Sequence, residues 1–419
     1  MTKRAWLALG AGLMGAGGAM AQTPPANIAV ADRARPAYDP LGWRVKSIFF
    51  YPSVAGSYEY DDNVRSTRTN RQSDSVFYIA PQLRIKSDLR RHGFDVTLKY
   101  SHSYHAKLTT EDVTNYGAFG RGVFDVTRRT RIRADGSIER ATEKRGALSS
   151  FGGTRSPVRY NRSVGNIGLE QEMGAFVFFG QIGQRQLKYK DTVDALGLPL
   201  DQKFRDFRME TAMLQARLRM RSGLSAFIRA SGDKRIYDIR RGDVGFDPIT
   251  GIDRSSKGGK IEAGLAMELT NLLYGNIRAG YLKVAYDDPA LRDVDGISFG
   301  ADLLWNVTSL TSLRFTADRS LDETVSPLTA GNLRSEFNVG ADHELLRNLI
   351  LSVDGRYARI TPAGPTAKSR ENEFEAGAKY LLNRYLMAKL TLNHSRRSSD
   401  NPAIGFKANS VMLTLTVRK

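Results

Sequence analysis

The stretch KIEAGLAMELTNLLYGNIRAGYLKV, Lys260 to Val284, decides how the chain folds. Ile261, Ala263, Leu265, Met267 and Leu269 alternate with Glu262, Gly264, Ala266 and Glu268. Past the "TN" junction the alternation restarts, with Leu273, Ile277, Ala279 and Tyr281 against Tyr274, Asn276, Arg278 and Gly280. Successive side chains of a strand point to opposite faces, so each run has one apolar face and one polar face. Two such runs about a tight junction predict a hairpin.

The pattern repeats in both directions. Ile297, Phe299, Ala301, Leu303 and Trp305 alternate with Ser298, Gly300, Asp302 and Leu304, and Val411, Leu413, Leu415 and Val417 with Thr414, Thr416 and Arg418. Asparagine-bearing junctions recur at Asn271, Asn306, Asn348 and Asn383, about one hairpin plus one long loop apart. Between them lie polar stretches rich in Gly, Asp, Pro and Ser, such as RRGDVGFDPITGIDRSSKGG, ETVSPLTAGN, TPAGPTAKSR and RSSDNPAIG. Counting along the chain gives nine long loops, centred near residues 68, 110, 149, 197, 249, 291, 327, 366 and 402, and eight short turns.

That count predicts an all-β fold, a single transmembrane antiparallel β-barrel of about 18 strands (16–18) over residues 47–419. Short turns and both termini would face the periplasm, and long loops the cell exterior. A soluble sandwich or propeller would bury its apolar faces in a core. Here the alternation runs on without a second core pattern, and Gly and Ala are frequent on both faces.

The rest of the chain fits export. Lys3 and Arg4 precede an apolar, small-residue run that ends in "AMA" before Gln22, so residues 1–21 read as a secretory signal peptide. That run contains a literal G-x-G-x-x-G at Gly10, Gly12 and Gly15, but no strand precedes it, which removes a nucleotide-binding reading. Residues 22–46 are rich in Pro and Ala, show no periodicity and read as an extended periplasmic lead-in. There is no cysteine among the 419 residues, so disulfides contribute nothing. No later run of 18 or more apolar residues predicts a membrane helix.

The formal charge of +18 raises the question of a partner. Nucleic acid is excluded as a reading by the signal peptide and by charge spread over every strand, with no basic stripe. If the apolar face meets lipid, charged residues of the other parity line the lumen, because an arginine at the bilayer midplane costs roughly 2–4 kcal/mol. The parity places Arg131, Arg133, Arg217, Arg219, Arg229, Arg278, Arg314, Arg356 and Lys389 inside, together with Tyr274. Asp135, Glu262, Glu268, Asp302, Asp318 and Asp354 share that face. Cross-strand ion pairs account for about half of these charges. The excess of arginine predicts a positive interior that favours anions.

Other constellations carry less. Glu59, Asp61, Asp62 and Asn63 offer oxygens of the kind hard cations take, but no glycine-punctuated ligand loop surrounds them, so they read as a solvated strand end at the outer rim. His102 and His105, three apart, face opposite sides of one strand, and neighbours such as Ser101, Ser103 and Ser395 point away from the adjacent histidines. No catalytic residue, metal or cofactor is expected.

The segment RPAYDPLGWRVKSIFFYPSVAGSYEYDDNV, Arg35 to Val64, resembles the start of the putative beta-barrel porin 2 family, with its "YDPLG" lead-in, "YPS" and "YDDN" strand end. The resemblance continues in APQLRIKSDLRRHGFDVTLKYSHSYH and in YLLNRYLMAKLTLNHSRRSSDN. One departure is the ending TLTVRK, which lacks the terminal aromatic residue of many outer-membrane proteins. The resemblance implies an outer-membrane channel associated with exopolysaccharide production. On that basis the expected function is export of an anionic exopolysaccharide, with lumen Arg and Lys guiding the polymer and Tyr274 stacking on sugar rings. A general anion-preferring porin for small solutes is the alternative, and a closed structural or adhesive barrel the third. Expected partners are outer-membrane lipid, a polysaccharide or other anionic solute, and periplasmic export machinery docking on the lead-in at Pro36, Tyr38 and Trp43. The loops at 143–156, 190–203 and 241–258 are the expected constrictions.

Overall fold

A computed structural model describes residues 28–89, 91–150, 153–243, 251–269, 272–322, 324 and 329–419. The signal-peptide segment lies outside them. The strands are β1 (Trp43–Val45), β2 (Ile48–Asp61), β3 (Asp74–Ser87), β4 (His92–His105), β5 (Val113–Asp125), β6 (Thr130–Thr142), β7 (Arg159–Met173), β8 (Phe176–Tyr189), β9 (Thr192–Val193), β10 (Pro199–Leu200), β11 (Phe207–Arg221) and β12 (Leu224–Tyr237). They continue as β13 (Ser256–Leu269), β14 (Leu273–Tyr286), β15 (Val294–Asn306), β16 (Thr311–Asp322), β17 (Asn332–Leu346), β18 (Leu349–Pro362), β19 (Ser369–Leu381), β20 (Leu386–Ser399) and β21 (Phe406–Arg418).

Eighteen of these, β2–β8 and β11–β21, form one antiparallel sheet in which each strand pairs with the next. The sheet closes where β2 pairs β21, from Ser53 against Arg418 to Asp61 against Ser410. Closure leaves no unpaired edge, which a sheet in hydrocarbon requires. Connections alternate between turns of two to four residues at one rim and loops of six to eighteen at the other. The expected strand number and rim asymmetry are both present, and by the habit of such barrels the short-turn rim faces the periplasm. The C-terminal strand pairs fully despite lacking a terminal aromatic residue.

Period two becomes inside and outside. Ile261 is 68% exposed on the outer face, while its neighbour Glu262 is buried on the inner one. Exposed aliphatic residues such as Ile138, Ile182, Leu214, Ile228 and Ile297 cover the outer wall, an arrangement stable only against lipid. Two aromatic girdles bound this band. Tyr58, Tyr60, Phe77, Tyr104, Tyr116, Tyr281 and Phe374 lie toward the long-loop rim, and Phe124, Phe176, Trp305, Tyr380 and Tyr385 toward the other. Aromatic residues of this kind sit at the membrane–water interfaces.

The lead-in differs from its expected extended form. Residues 28–42 include a 3-10 turn at Val30–Asp32 and then a hydrogen-bonded turn, with the Tyr38 and Asp39 amides donating to the Arg35 carbonyl. Val30 is fully buried and Arg35 nearly so. The reason is polar anchoring, since the rim supplies unpaired carbonyls, hydroxyls and a carboxylate that the segment satisfies. Trp43–Val45 then joins β2 as a short strand.

Candidate functional site

The inner wall is the candidate site, taken as the strand face that carries the buried polar side chains, and the ten residues expected to line it are located on the strands as follows. In register, Arg131 opposes Glu170, Arg133 opposes Gly168, Arg229 opposes Glu262, and Arg356 opposes Glu373. Seven of the nine basic residues are ion-paired. Arg131 reaches Asp125 at 2.8 Å and Glu170 at 3.1 Å, and Arg133 reaches Glu170 at 2.7 Å. Arg219 pairs with Glu172 at 2.9 Å, Arg314 with Asp342 at 2.9 Å and Asp354 at 3.2 Å, and Lys389 with Glu375 at 3.7 Å. Arg278 pairs with Asp318 at 3.1 Å and Glu262 at 3.6 Å, while Arg356 pairs with Glu373.

Pairing therefore cancels more of the lumen charge than half. Two arginines on neighbouring strands remain. Arg229 donates to the Gln215 side-chain oxygen at 3.0 and 2.8 Å, a neutral partner that orients it without cancelling its charge. Arg217 has no side-chain hydrogen bond or ion pair among the described residues, and its Nε is buried without a partner. Arg217 opposes Phe227, two positions from Arg229 along β12. The two guanidinium groups thus share one patch of the wall, and like charges held together attract an anion.

Tyr274 does not fit its expected role. It faces inward, between Glu268 and Leu304 on the flanking strands, but is only 8% exposed. A ring so covered has no free face on which a sugar could stack.

Glycines let the charges meet across strands. Arg278 opposes Gly300, and Gly300 opposes Asp318 on the strand beyond. A Cβ on Gly300 would lie 2.2 Å from the Arg278 Cζ. Arg314 likewise crosses Gly340 to reach Asp354, where a Cβ would lie 2.4 Å from the carboxylate oxygen. Parity identifies the charged residues but not this bridging. The same parity could have found further inner pairs that the prediction left out: Arg84 and Arg121 on buried Asp95, and Arg334 and Arg397 on Glu371.

Loops at the long-loop rim are bonded to one another. Buried Glu111, between β4 and β5, accepts from Arg65 at 2.9 Å and Arg145 at 2.7 Å, tying three loops together. Arg145 lies in the 143–158 loop, whose Gly146 carbonyl accepts from Arg397 on β20. That loop also holds the 190–206 loop, because Arg205 pairs with Glu143 and donates to the Ser149 carbonyl at 2.5 Å. Two of the three loops expected to constrict the lumen are thus bonded to each other. The third is shorter than expected, since Ser256–Gly258 belong to β13, and residues 244–250 lie outside the described ones. Its described part is clamped by Asp288, which accepts from Arg241 at 2.8 Å and from the Asp253 amide at 3.2 Å.

The lead-in is anchored along the short-turn rim, on the ends of β16 to β21. The Val30 amide donates to Ser312 Oγ at 2.8 Å, Lys379 Nζ donates to the Ala31 carbonyl at 2.9 Å, and Arg35 pairs with Glu344 at 2.8 Å. Arg384 and Arg418 donate to the Pro36 and Tyr38 carbonyls, both at 3.0 Å. Two of the three residues expected to receive a periplasmic partner, Pro36 and Tyr38, thus already bond the barrel through their backbones. Trp43 is exposed.

The acidic stretch at the end of β2 is a strand end, but not a solvated one. Glu59, Asp61 and Asn63 are buried, while Asp62 hydrogen-bonds Asn409. Glu59 accepts from the Tyr78 hydroxyl at 2.7 Å, and Asn63 donates to the Thr67 and Lys407 carbonyls. These bonds splice the first loop onto β21. Among the described residues no group of three or more His, Asp or Glu side chains is placed to hold a metal ion. His105 pairs with Asp112 at 3.0 Å, and His102 contacts Thr114 on the outer face.

Residues 35–419 match the family model described as putative beta-barrel porin 2. No curated protein matches the sequence. Among solved structures, the chain is similar to Pseudomonas aeruginosa OccK3 (OpdO), with 13% identity over 88% of this chain and 95% of that one, TM-score 0.42. It is also similar to P. aeruginosa OccK2 (OpdF) in complex with glucuronate, with 11% identity over 90% and 99%, TM-score 0.46. A BenF-like porin from Pseudomonas fluorescens Pf-5 has 11% identity over 90% and 100%, TM-score 0.45.

Proposed function

The chain belongs to the putative beta-barrel porin 2 family, and from that premise we propose that this outer-membrane barrel guides a hydrated anion through its lumen, its cargo being an exported anionic exopolysaccharide. The observation that carries the anion reading is the Arg217 and Arg229 patch. The other seven basic residues predicted for the lumen are ion-paired, whereas these two make no ion pair among the described residues, Glu262 opposite Arg229 being engaged by Arg278 and Ser298 instead. An anion passing this wall meets positive charge that no ion pair holds, in a space where low-dielectric walls focus the field. The paired charges elsewhere keep the remaining surface wet without holding cargo tightly, so a polymer can move on. No bond is made or broken in this role.

A second reading, a porin for small anions, is favoured by the interlocked loops at one rim and by the lead-in anchored at the other. A chain of sugars would need both to shift, while a single hydrated anion needs less room. Deletion of the gene separates the two. Loss of surface polymer with accumulation in the periplasm is expected for export. Unchanged surface polymer, with chloride and phosphate passing through the purified protein in a bilayer, would leave the small-anion porin. Absence of any conductance would leave only a closed structural barrel.

A further inference from the structure

The outer wall carries an unbalanced basic sector that the lumen does not use. Arg319 on β16, Arg359 on β18, Arg370 on β19, Arg396 on β20 and Lys407 on β21 all project outward near the long-loop rim. Arg359 directly opposes Arg370, and Arg396 directly opposes Lys407, while Ser335 alone separates Arg319 from Arg359. None of the five has a side-chain hydrogen bond or ion pair among the described residues, and all but Arg319 are exposed. The outward positions of β16–β21 include no Asp or Glu. The acid at the edge of the sector, Asp62, is engaged by the amides of Asn409. Elsewhere on this rim several basic residues have acids, as Arg208 has Glu210 at 3.2 Å and Lys283 has Asp295 opposite it, and where Lys234 opposes Lys257 the strand on its other side supplies Glu210.

Like charges directly across a strand pair are destabilising. Two such pairs without an acid imply an anion from outside the chain. The level of the row indicates which kind. Just below it, toward the apolar band, Phe299, Phe337 and Tyr357 stack at 5.6 and 6.5 Å, and Phe374 is exposed. An aromatic girdle marks the interface, so the row sits at the height of lipid headgroups in the outer leaflet. With strands roughly 4.8 Å apart, six strands spread the row over about 24 Å. The same strands continue downward as Leu390, Leu392, Val411 and Leu413, exposed to acyl chains.

We propose that the outer face of β16–β21 is a binding site for the phosphate groups of an acylated outer-leaflet lipid. Arginine suits this, because its planar fork takes two phosphate oxygens at once. A soluble anionic polymer would match the charge but not the apolar surface continuous with it. The site rests on the outer-membrane setting of the barrel and is independent of its cargo.

The test uses the full-length barrel in neutral detergent with native mass spectrometry. Lipid A bearing two phosphates, the same lipid dephosphorylated, inorganic phosphate and a soluble anionic polysaccharide are offered in turn. Wild type is expected to bind the bis-phosphorylated lipid at least tenfold more tightly than the dephosphorylated one. The combined Arg359→Gln, Arg370→Gln, Arg396→Gln and Lys407→Gln variant is expected to lose that ratio, whereas Arg208→Gln on the balanced part of the rim keeps it. Because the variant also relieves repulsion, it should unfold at a higher temperature than wild type without lipid, and only wild type should gain stability when lipid is added. Should the fourfold variant fail to fold, Arg370→Gln alone must still reduce the ratio. Equal affinity for both lipids, an unchanged ratio in the variants, full displacement by inorganic phosphate or preference for the soluble polymer would each overturn the proposal.

Discussion

The Arg278 guanidinium lies across Gly300 and meets Asp318 at 3.1 Å, an ion pair that spans two strand gaps because the strand between has no side chain at that point. Repeated at Arg314, Gly340 and Asp354, this device ties three strands at once and keeps charge flat against the wall.

The bridging glycine makes a graded prediction. Gly300→Ala pushes only the end of a flexible side chain, so Arg278 swings away and the barrel loses on the order of 1 kcal/mol. Gly280→Ala places a Cβ 1.9 Å from the Ile261 carbonyl oxygen, where backbone must move, and should cost near the upper end of about 1–3 kcal/mol. Urea unfolding of the two variants, followed by gel mobility, gives the order. Equal losses would mean that the Arg278 pair is itself a major contributor.

Selectivity should follow the unpaired arginines rather than the total charge. Arg217→Gln with Arg229→Gln is expected to lower the chloride-over-potassium preference severalfold, read from the reversal potential in a salt gradient. Arg278→Gln should shift selectivity less and stability more, because it leaves Glu262 and Asp318 without their shared cation. The effect of the double variant should shrink as salt rises and screening shortens the reach of both charges. If Arg278→Gln moved the reversal potential more than the double variant, the paired residues would be setting selectivity.

What was legible beforehand divides along one physical line. Alternation of the kind seen from Ile261 to Tyr281 fixes which side chains share a face, so strand number, rim asymmetry and the inward placement of Arg217 or Arg278 were all readable. Neighbours across the barrel wall depend on register, which period two alone does not specify. Hence the Arg278–Asp318 pair over Gly300 was not readable, nor was the cover over Tyr274. The lead-in was misjudged for a related reason. Its contacts, such as Arg35 with Glu344, join residues more than 300 positions apart and leave no local period. The acid-free run of Arg359, Arg370, Arg396 and Lys407 was present in the sequence, but it becomes one row only when four strands are aligned.

The lead-in should restrict conduction. Its anchor, Arg35, is buried against Glu344 and also donates to the Arg347 and Val30 carbonyls. Arg35→Ala leaves these acceptors unmet and should free residues 28–40 from the inner mouth. Single-channel conductance is then expected to rise, with a similar rise on removing those residues. Unchanged conductance in both variants would place the segment beside the ion path and not across it.

The Asp288 clamp predicts how the outer loops respond to acid. Burial alone would raise the pKa of this carboxyl, but the Ala290 amide, the Arg241 guanidinium and the Asp253 amide outweigh it and hold the value below the ordinary 3.8. A carboxylate whose pKa is depressed in the folded state adds stability above its unfolded pKa, and that stability is lost as pH falls through the folded value. The clamp should therefore stay closed down to about pH 4 and loosen only below it. Asp288→Asn, uncharged at every pH, should leave the 238–255 loop open to protease at neutral pH. Limited proteolysis across a pH series, with an acid-tolerant protease, reads both effects. Loosening of the wild-type loop between pH 6 and 5 would show that another group holds it.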